Sequence, residues 1–225
     1  TAVFAKVLSK RSPKIVQSRH MNMTRFKSDF YHKWLYENIS TIHAVTQQVK
    51  EQLQKYIPQS VRPKIEMVYL GVKVPCVDAK RVSELSKIYA LEGSFVVGIL
   101  GRIEEAKGQY LLIEALFKLK QKNIKALIIG AAMNENYLAE LKAMSGAFHL
   151  EDRVIFTGFT KEVNEHLSLC DVSILATPKE TFGLVVIESM ANAVPVIATN
   201  RGGPLEIIDD KVDGLLFERS SDDLA

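Results

Sequence analysis

The sequence predicts an α/β protein, a doubly wound parallel sheet preceded by part of a second Rossmann-like unit. Three observations carry this. From residue 94 onward, six short apolar runs alternate with helix-length segments, the rhythm of a parallel sheet with right-handed crossovers. The first run, Ser94-Phe95-Val96-Val97-Gly98-Ile99-Leu100, is apolar without alternation, as a strand covered on both faces must be. Charge is also divided: residues 1–64 hold 12 Lys/Arg against 3 Asp/Glu, and residues 65–225 hold 17 against 23. Such a split points to two units with different surfaces.

In the first unit, residues 1–11 read as a helix and Lys14 to Ser18 as a short strand. Residues 24–38 follow as a helix rich in aromatic and basic side chains. Ser40 to Thr46 reads as a strand, Gln47 to Tyr56 as a helix and Lys64 to Leu70 as a strand. These are too few strands to close a sheet alone. Gly71-Val72-Lys73-Val74-Pro75-Cys76 interrupts the rhythm and marks a crossing between domains, which divides the chain into 1–72 and 73–225.

A helix at 80–91 leads into the second unit. Its strands are expected at 94–100, Ile124 to Ile129, Arg153 to Thr157, Asp171 to Ala176, Val194 to Thr199 and Gly214 to Phe217. Helices fall at about 108–122, 134–149, 161–169 and 183–193, with a short one near 203–209. The opening Thr-Ala-Val-Phe-Ala-Lys-Val-Leu reads as the middle of a helix. Ser220 reads as an N-cap whose helix stops at once. The chain is therefore expected to be a piece of a longer protein.

Composition is that of a globular protein, 47% hydrophobic and 24% charged. No apolar run reaches the length of a membrane span, and no signal-peptide pattern opens the chain. Cys76 and Cys170 have neither metal nor redox spacing and fit a reduced, cytoplasmic protein. Nucleic acid is not an expected partner, because the larger unit is acidic and no recognition motif occurs.

Doubly wound sheets bind ligands outside the carboxyl ends of the strands, where the strand order reverses. In the order 3-2-1-4-5-6 that crevice lies between the loops after the first and fourth strands. The first loop is Gly101-Arg102-Ile103-Glu104-Glu105-Ala106-Lys107-Gly108, and the second runs from Thr177 to Gly183. Arg102 and Lys107 then face Glu180 across one cleft. As isolated residues they would be solvated surface charges; at the switch point they suit phosphate oxygens, Arg as a planar fork and Lys as a mobile point charge. The loop is neither a Walker A motif nor a G-x-G-x-x-G fingerprint, which disfavours triphosphate hydrolysis and nicotinamide chemistry.

Gly183 precedes the helix carrying Glu188, so unpaired N–H groups and the positive dipole end face the same crevice. Glu188 lies about 7.5 Å further along, where a carboxylate could accept hydrogen bonds from a ribose diol. Ribose, diphosphate and a further polyol toward Glu180 describe a nucleotide sugar.

The motifs Gly-Arg-Ile-x-x-x-Lys-Gly at 101–108, Glu-x7-Glu at 180–188 around Phe182-Gly183-Leu184, and Gly202-Gly203-Pro204-x-Glu206 ahead of Asp213-Gly214-Leu215 occur in order. With them, residues 94–217 resemble the donor-binding domain of retaining glycosyltransferases of the GT-B fold, glycosyltransferase family 4. The first 72 residues resemble the later part of the acceptor-side Rossmann-like domain of that family, with its glycine-rich start absent and Leu70 where Asn is usual. Residues 73–225 correspond to the nucleotide-sugar donor domain without its last helices.

The resemblance implies transfer of a sugar, with retention, from a nucleotide-diphosphate sugar to a glycan, lipid-linked or small-molecule acceptor in cell-envelope glycan assembly. It implies that Arg102 and Lys107 hold the diphosphate and stabilise its developing charge, and that Glu188 binds the ribose. Glu180 would contact the transferred sugar. The donor would also meet Gly101, Phe182 and the backbone from Gly183 through Leu184 to Val185. No metal and no other cofactor are expected, the cations taking the metal's place. His20 matches a histidine near the sugar, although a surface or capping histidine fits the same position. The fragment by itself is expected to be inactive.

The stretch Arg25 to Tyr36 admits two readings: an amphipathic helix with Phe26, Phe30 and Trp34 in the core, or a basic, aromatic surface lying peripherally on the inner face of a membrane. Two other functions fit the same fold, a non-catalytic sugar-nucleotide-binding or scaffold module and a GT-B sugar-nucleotide epimerase.

Overall fold

The computed structural model describes residues 2–9, 11–119 and 123–225. Positions 1 and 10 of the first expected helix, and the end of the one expected over 108–122, lie outside the described residues. The chain forms two compact units, Thr1–Leu70 and Gly71–Ala225.

The first unit runs α1 (Ala2–Leu8), β1 (Val16–Arg19), α2 (Phe30–Glu37), β2 (Thr41–Ala44), α3 (Gln47–Tyr56) and β3 (Lys64–Met67). Its three strands are parallel, in the order β1-β2-β3. Helix α3 starts at Thr46, whose hydroxyl accepts from the Val49 N–H at 3.2 Å. Its apolar stripe buries Val49 and Leu53 in the same core as Ile42 and Ala44 of β2.

The helix expected over 24–38 starts only at Phe30. Asp29 caps it: its carboxylate accepts from the His32 N–H at 3.1 Å and lies 2.6 Å from His32 Nδ1. A local hydrogen bond at residue 29 thus overrides the propensity of the residues before it. Within the helix Tyr36 is buried while Phe30 is 88% exposed. Phe26, outside the helix, stands edge-on to Tyr56 at 5.2 Å, and Trp34 lies against Phe4 at 5.0 Å. The expected core stripe of Phe26, Phe30 and Trp34 is not formed.

The second unit runs α4 (Ala79–Ile88), β4 (Phe95–Leu100), α5 (Gln109–Lys118), β5 (Ile124–Ile129), α6 (Glu135–Ala147), β6 (Val154–Gly158), α7 (Val163–Leu167), β7 (Val172–Leu175), α8 (Leu184–Ala191), β8 (Val196–Thr199), β9 (Leu215–Phe217) and α9 (Ser221–Leu224). The strands are all parallel, in the order β6-β5-β4-β7-β8-β9. This is the 3-2-1-4-5-6 order that the sequence predicts. The segment near 203–209 is a single 3-10 turn, Gly203–Glu206, rather than a helix.

Successive residues Ala126, Leu127, Ile128 and Ile129 of β5 are all fully buried. Neighbours in a strand point to opposite faces, so the sheet is covered on both. Ile128 joins Ile99, Leu112 and Leu116 on one side, and Leu127 and Ile129 join Val96, Cys170 and Val194 on the other. At about 1.5–3 kcal/mol for each fully buried large aliphatic side chain, these central strands dominate the stability of the unit. Helix α4 is tied to the start of α7 by the Arg81 fork on Glu162, at 2.9 and 3.1 Å. No helix among the described residues is long and apolar enough to cross a membrane.

Gly98, in the middle of β4, has no room for a side chain, because a Cβ there would overlap Cys170 Sγ. Gly98→Ala is expected to cost about 1–3 kcal/mol in urea unfolding through overpacking. Cys170→Ala in the same chain should recover most of that loss. Equal losses in the single and double variants would refute the contact.

Candidate active site

The strand order reverses between β4 and β7, and the loops that follow these two strands meet there. The loop after β4 is pinned by Ile103, only 1% exposed, which pairs with the chain after β5: its N–H donates to the Ala131 carbonyl at 2.8 Å, and its own carbonyl accepts from the Met133 N–H at 3.2 Å. This approach depends on Gly130, where any Cβ would overlap the Gly101 carbonyl oxygen. Beyond Ile103, a 3-10 turn at Glu105–Lys107 delivers Lys107 before Gly108 starts α5.

The loop after β7 is shaped by its neighbour. The Gly203 N–H donates to the Glu180 carbonyl at 2.9 Å. A Cβ on Gly202 would overlap the Glu180 carbonyl, and one on Gly203 the Phe182 backbone. Phe182 is 5% exposed and anchors the turn. Gly183, at φ +103°, then opens α8 without a side-chain cap, so the first-turn amides at Leu184 and Val185 remain available to an anion.

Lys107 Nζ lies 3.4 Å from Glu180 Oε2, with side-chain exposures of 24% and 23%. The switch point therefore brings these two residues together. Arg102 forms no ion pair with Glu180 among the described residues. Its guanidinium turns to Glu104, two residues along the same loop, at 3.0 Å, and stays 61% exposed. An acid on its own loop reaches it without crossing the cleft.

Glu188 is half-buried on α8 and lines a cavity of about 210 Å3 with Val72, Lys73, Asn164, Ala191 and Asn192. Its carboxylate has no hydrogen bond or ion pair among the described residues, and desolvation raises its pKa above the ordinary value. Asn192, one turn further on, donates from Nδ2 to the Glu188 carbonyl at 2.8 Å and to Asn164 Oδ1 at 3.2 Å. Its own Oδ1 is buried without a partner among the described residues. The cavity offers the unmet Glu188 carboxylate, an acceptor that suits a hydroxyl donor.

His20 follows β1 in the first unit and is exposed. Sequence reasoning missed Asn164 and Asn192, and with them Gln109, which is fully buried at the start of α5. A glutamine directly after Gly108, opening the otherwise apolar run Tyr110-Leu111-Leu112-Ile113, was the available signal.

The family model described as "Glycosyl transferases group 1" matches residues 82–225, and the chain belongs to that family. It is 28% identical over 230 residues to the "Putative glycosyltransferase YtcC" of Bacillus subtilis, covering 93% of this chain and 56% of the relative. It is 29% identical over 161 residues to the N-acetylgalactosamine-N,N'-diacetylbacillosaminyl-diphospho-undecaprenol 4-alpha-N-acetylgalactosaminyltransferase of Campylobacter jejuni, covering 71% of this chain and 42% of that one. The chain spans about half the length of the curated relatives it matches. The fold is that of Anabaena HepE, solved in complex with UDP and glucose, at a TM-score of 0.84 and 24% identity over 100% of this chain and 63% of that one.

The raised pKa of Glu188 has a consequence for stability. A carboxyl whose folded-state pKa exceeds its unfolded value binds protons more tightly when folded, so stability falls as pH rises through that interval. Glu188→Gln removes the desolvated charge. It is expected to raise the melting temperature at neutral pH, with the gain vanishing as pH falls below the ordinary glutamate range. A variant that is less stable at neutral pH would show that Glu188 has a stabilising partner.

Proposed function

We propose that this member of the group 1 glycosyl transferases moves a sugar from a nucleotide-diphosphate donor to an acceptor, with retention of anomeric configuration. The process served is assembly of a polysaccharide, lipopolysaccharide or glycolipid. The observation that carries the proposal is the Lys107–Glu180 pair at the switch point, 3.4 Å apart, followed on the next helix by the partnerless, desolvated Glu188.

Lys107, joined by Arg102 once it swings from Glu104, holds the diphosphate and stabilises the charge that builds as the glycosidic bond breaks. Gly101 keeps that loop close, and Phe182 anchors the turn whose backbone, from Gly183 through Leu184 to Val185, receives phosphate oxygens at a helix N-terminus. Glu188 accepts from the ribose hydroxyls. Glu180, released from Lys107, contacts the transferred sugar. Attack on the same face from which the phosphate departs gives retention, the departing phosphate helping to take the acceptor's proton. The cations take the place of a metal ion, and no other cofactor is invoked. The fragment alone is proposed to be inactive.

On its motif alone, His20 is assigned to the acceptor side of the reaction. The exposed Phe26, Phe30 and Tyr31, in a stretch with Arg25, Lys27 and Lys33, are proposed to meet an anionic membrane surface on its cytoplasmic side. A lipid-linked acceptor would reside there. HepE's UDP and glucose support a nucleotide-sugar donor, and the diphospho-undecaprenol in the Campylobacter enzyme's name supports a lipid-linked acceptor.

In the intact protein, Lys107→Ala is expected to lower the rate of sugar transfer about 100- to 1,000-fold. Glu188→Ala should instead weaken binding of the cognate nucleoside diphosphate, measured by calorimetry across UDP, GDP and ADP. Wild-type transfer and binding in both variants would sink the proposal.

A further inference from the structure

Gln109 is the first residue of α5 and is 0% exposed. Its Nε2 donates to the carbonyl oxygen of Arg102 at 2.9 Å, so the side chain reaches from one end of the 101–108 loop to the other. A carbonyl oxygen only accepts, which requires the amide nitrogen at that position. The amide oxygen must then point away, and Gln109 Oε1 is buried with no partner among the described residues.

This is a poor residue for packing. Leu111, Leu112, Ile113, Ala115 and Leu116 of the same helix are all buried, and a half-satisfied amide among them carries a desolvation cost that an apolar side chain would avoid. The gain lies in the loop. Ile103 is fixed by its pairing with the chain after β5, and Lys107 by the N–H bond to the Glu104 carbonyl at 2.8 Å. Arg102, between Gly101 and Ile103, has a guanidinium that among the described residues pairs with Glu104 of its own loop. The bond from Gln109 ties the main chain of Arg102 to the helix that begins directly after Lys107-Gly108.

We infer that Gln109 is a positioning residue for the anion-binding loop: its buried amide sets the arc from which Arg102 and Lys107 reach the donor diphosphate. The inference rests on the donor-site reading proposed above. It makes function respond to a substitution that leaves stability nearly unchanged.

The test uses the intact protein. Gln109→Leu removes the orphaned oxygen together with the donor to the Arg102 carbonyl, two opposing changes, so the melting temperature should change little. The kcat/KM for the nucleotide sugar should fall about 10- to 100-fold as the loop cations lose register, and whichever of UDP, GDP or ADP binds the wild type should bind more weakly. Gln109→Glu supplies a second readout, because an ionised carboxylate cannot donate to the Arg102 carbonyl whereas a protonated one can. Its activity relative to wild type should climb as pH falls. Wild-type kcat/KM in Gln109→Leu, a loss that only tracks a lowered melting temperature, or a flat pH ratio in Gln109→Glu would each overturn the inference. Lys107→Ala run alongside separates the two levels. If it too leaves binding and transfer intact, the donor-site reading fails; if it alone impairs them, only the role of Gln109 fails.

Discussion

The crevice is held together by backbone lying directly on backbone. Gly130 lets the chain after β5 close on the Gly101 carbonyl, and Gly202 and Gly203 let the chain after β8 close on residues 180 to 182. A single Cβ at any of these positions would hold two loops apart, and the site consists of those loops. Lys107 reaches Glu180 only because both loops have been drawn to the same point above the boundary between β4 and β7. Side-chain chemistry is therefore laid over a frame that hydrogen bonds and steric fit have already fixed. Such a frame needs little reorganisation when charge develops within it.

This frame explains what the sequence made legible. The strand order followed from apolar runs such as Phe95 to Leu100 and Ile124 to Ile129, because a parallel strand buried on both faces leaves a continuous signature. The loops carrying Lys107 and Glu180, and the helix carrying Glu188, followed from that order. The pairing of Arg102 with Glu104 was not foreseen, because strand order fixes where a loop starts, not which way a long side chain turns. Glu104, close by on the same loop, settled that direction. At α2 a periodic apolar pattern was overridden by one cap, Asp29, a contact too local for a hydrophobic stripe to reveal. Gln109 left only a faint sign, one polar residue at the head of an apolar run, and its burial is what gives the mismatch weight.

The two acids at 180 and 188 are alike in sequence and opposite in physical state. Glu180 has a cation 3.4 Å away, and both partners are largely shielded from water. On the proposed function, a diphosphate at Lys107 would compete with that carboxylate, so part of its attraction would be offset by the pair it breaks. Glu188 has nothing to give up. It is desolvated and without a partner among the described residues, so on the proposed function a hydroxyl donor arriving in its cavity would satisfy a group that burial has already penalised.

On the proposed function the donor site would be asymmetric. Binding free energy would be concentrated at the Glu188 end, where no existing contact is lost. The Lys107 end would exchange one anion for another and contribute less to the ground state. That exchange would grow favourable as negative charge accumulates on a departing phosphate, since the glutamate it replaces carries a fixed single charge. An interaction that strengthens along a reaction raises turnover without tightening the resting complex. The same competition from Glu180 would help expel a free diphosphate. On this view the ion pair is the part of the site that separates binding from catalysis, and the partnerless Glu188 is the part that recruits.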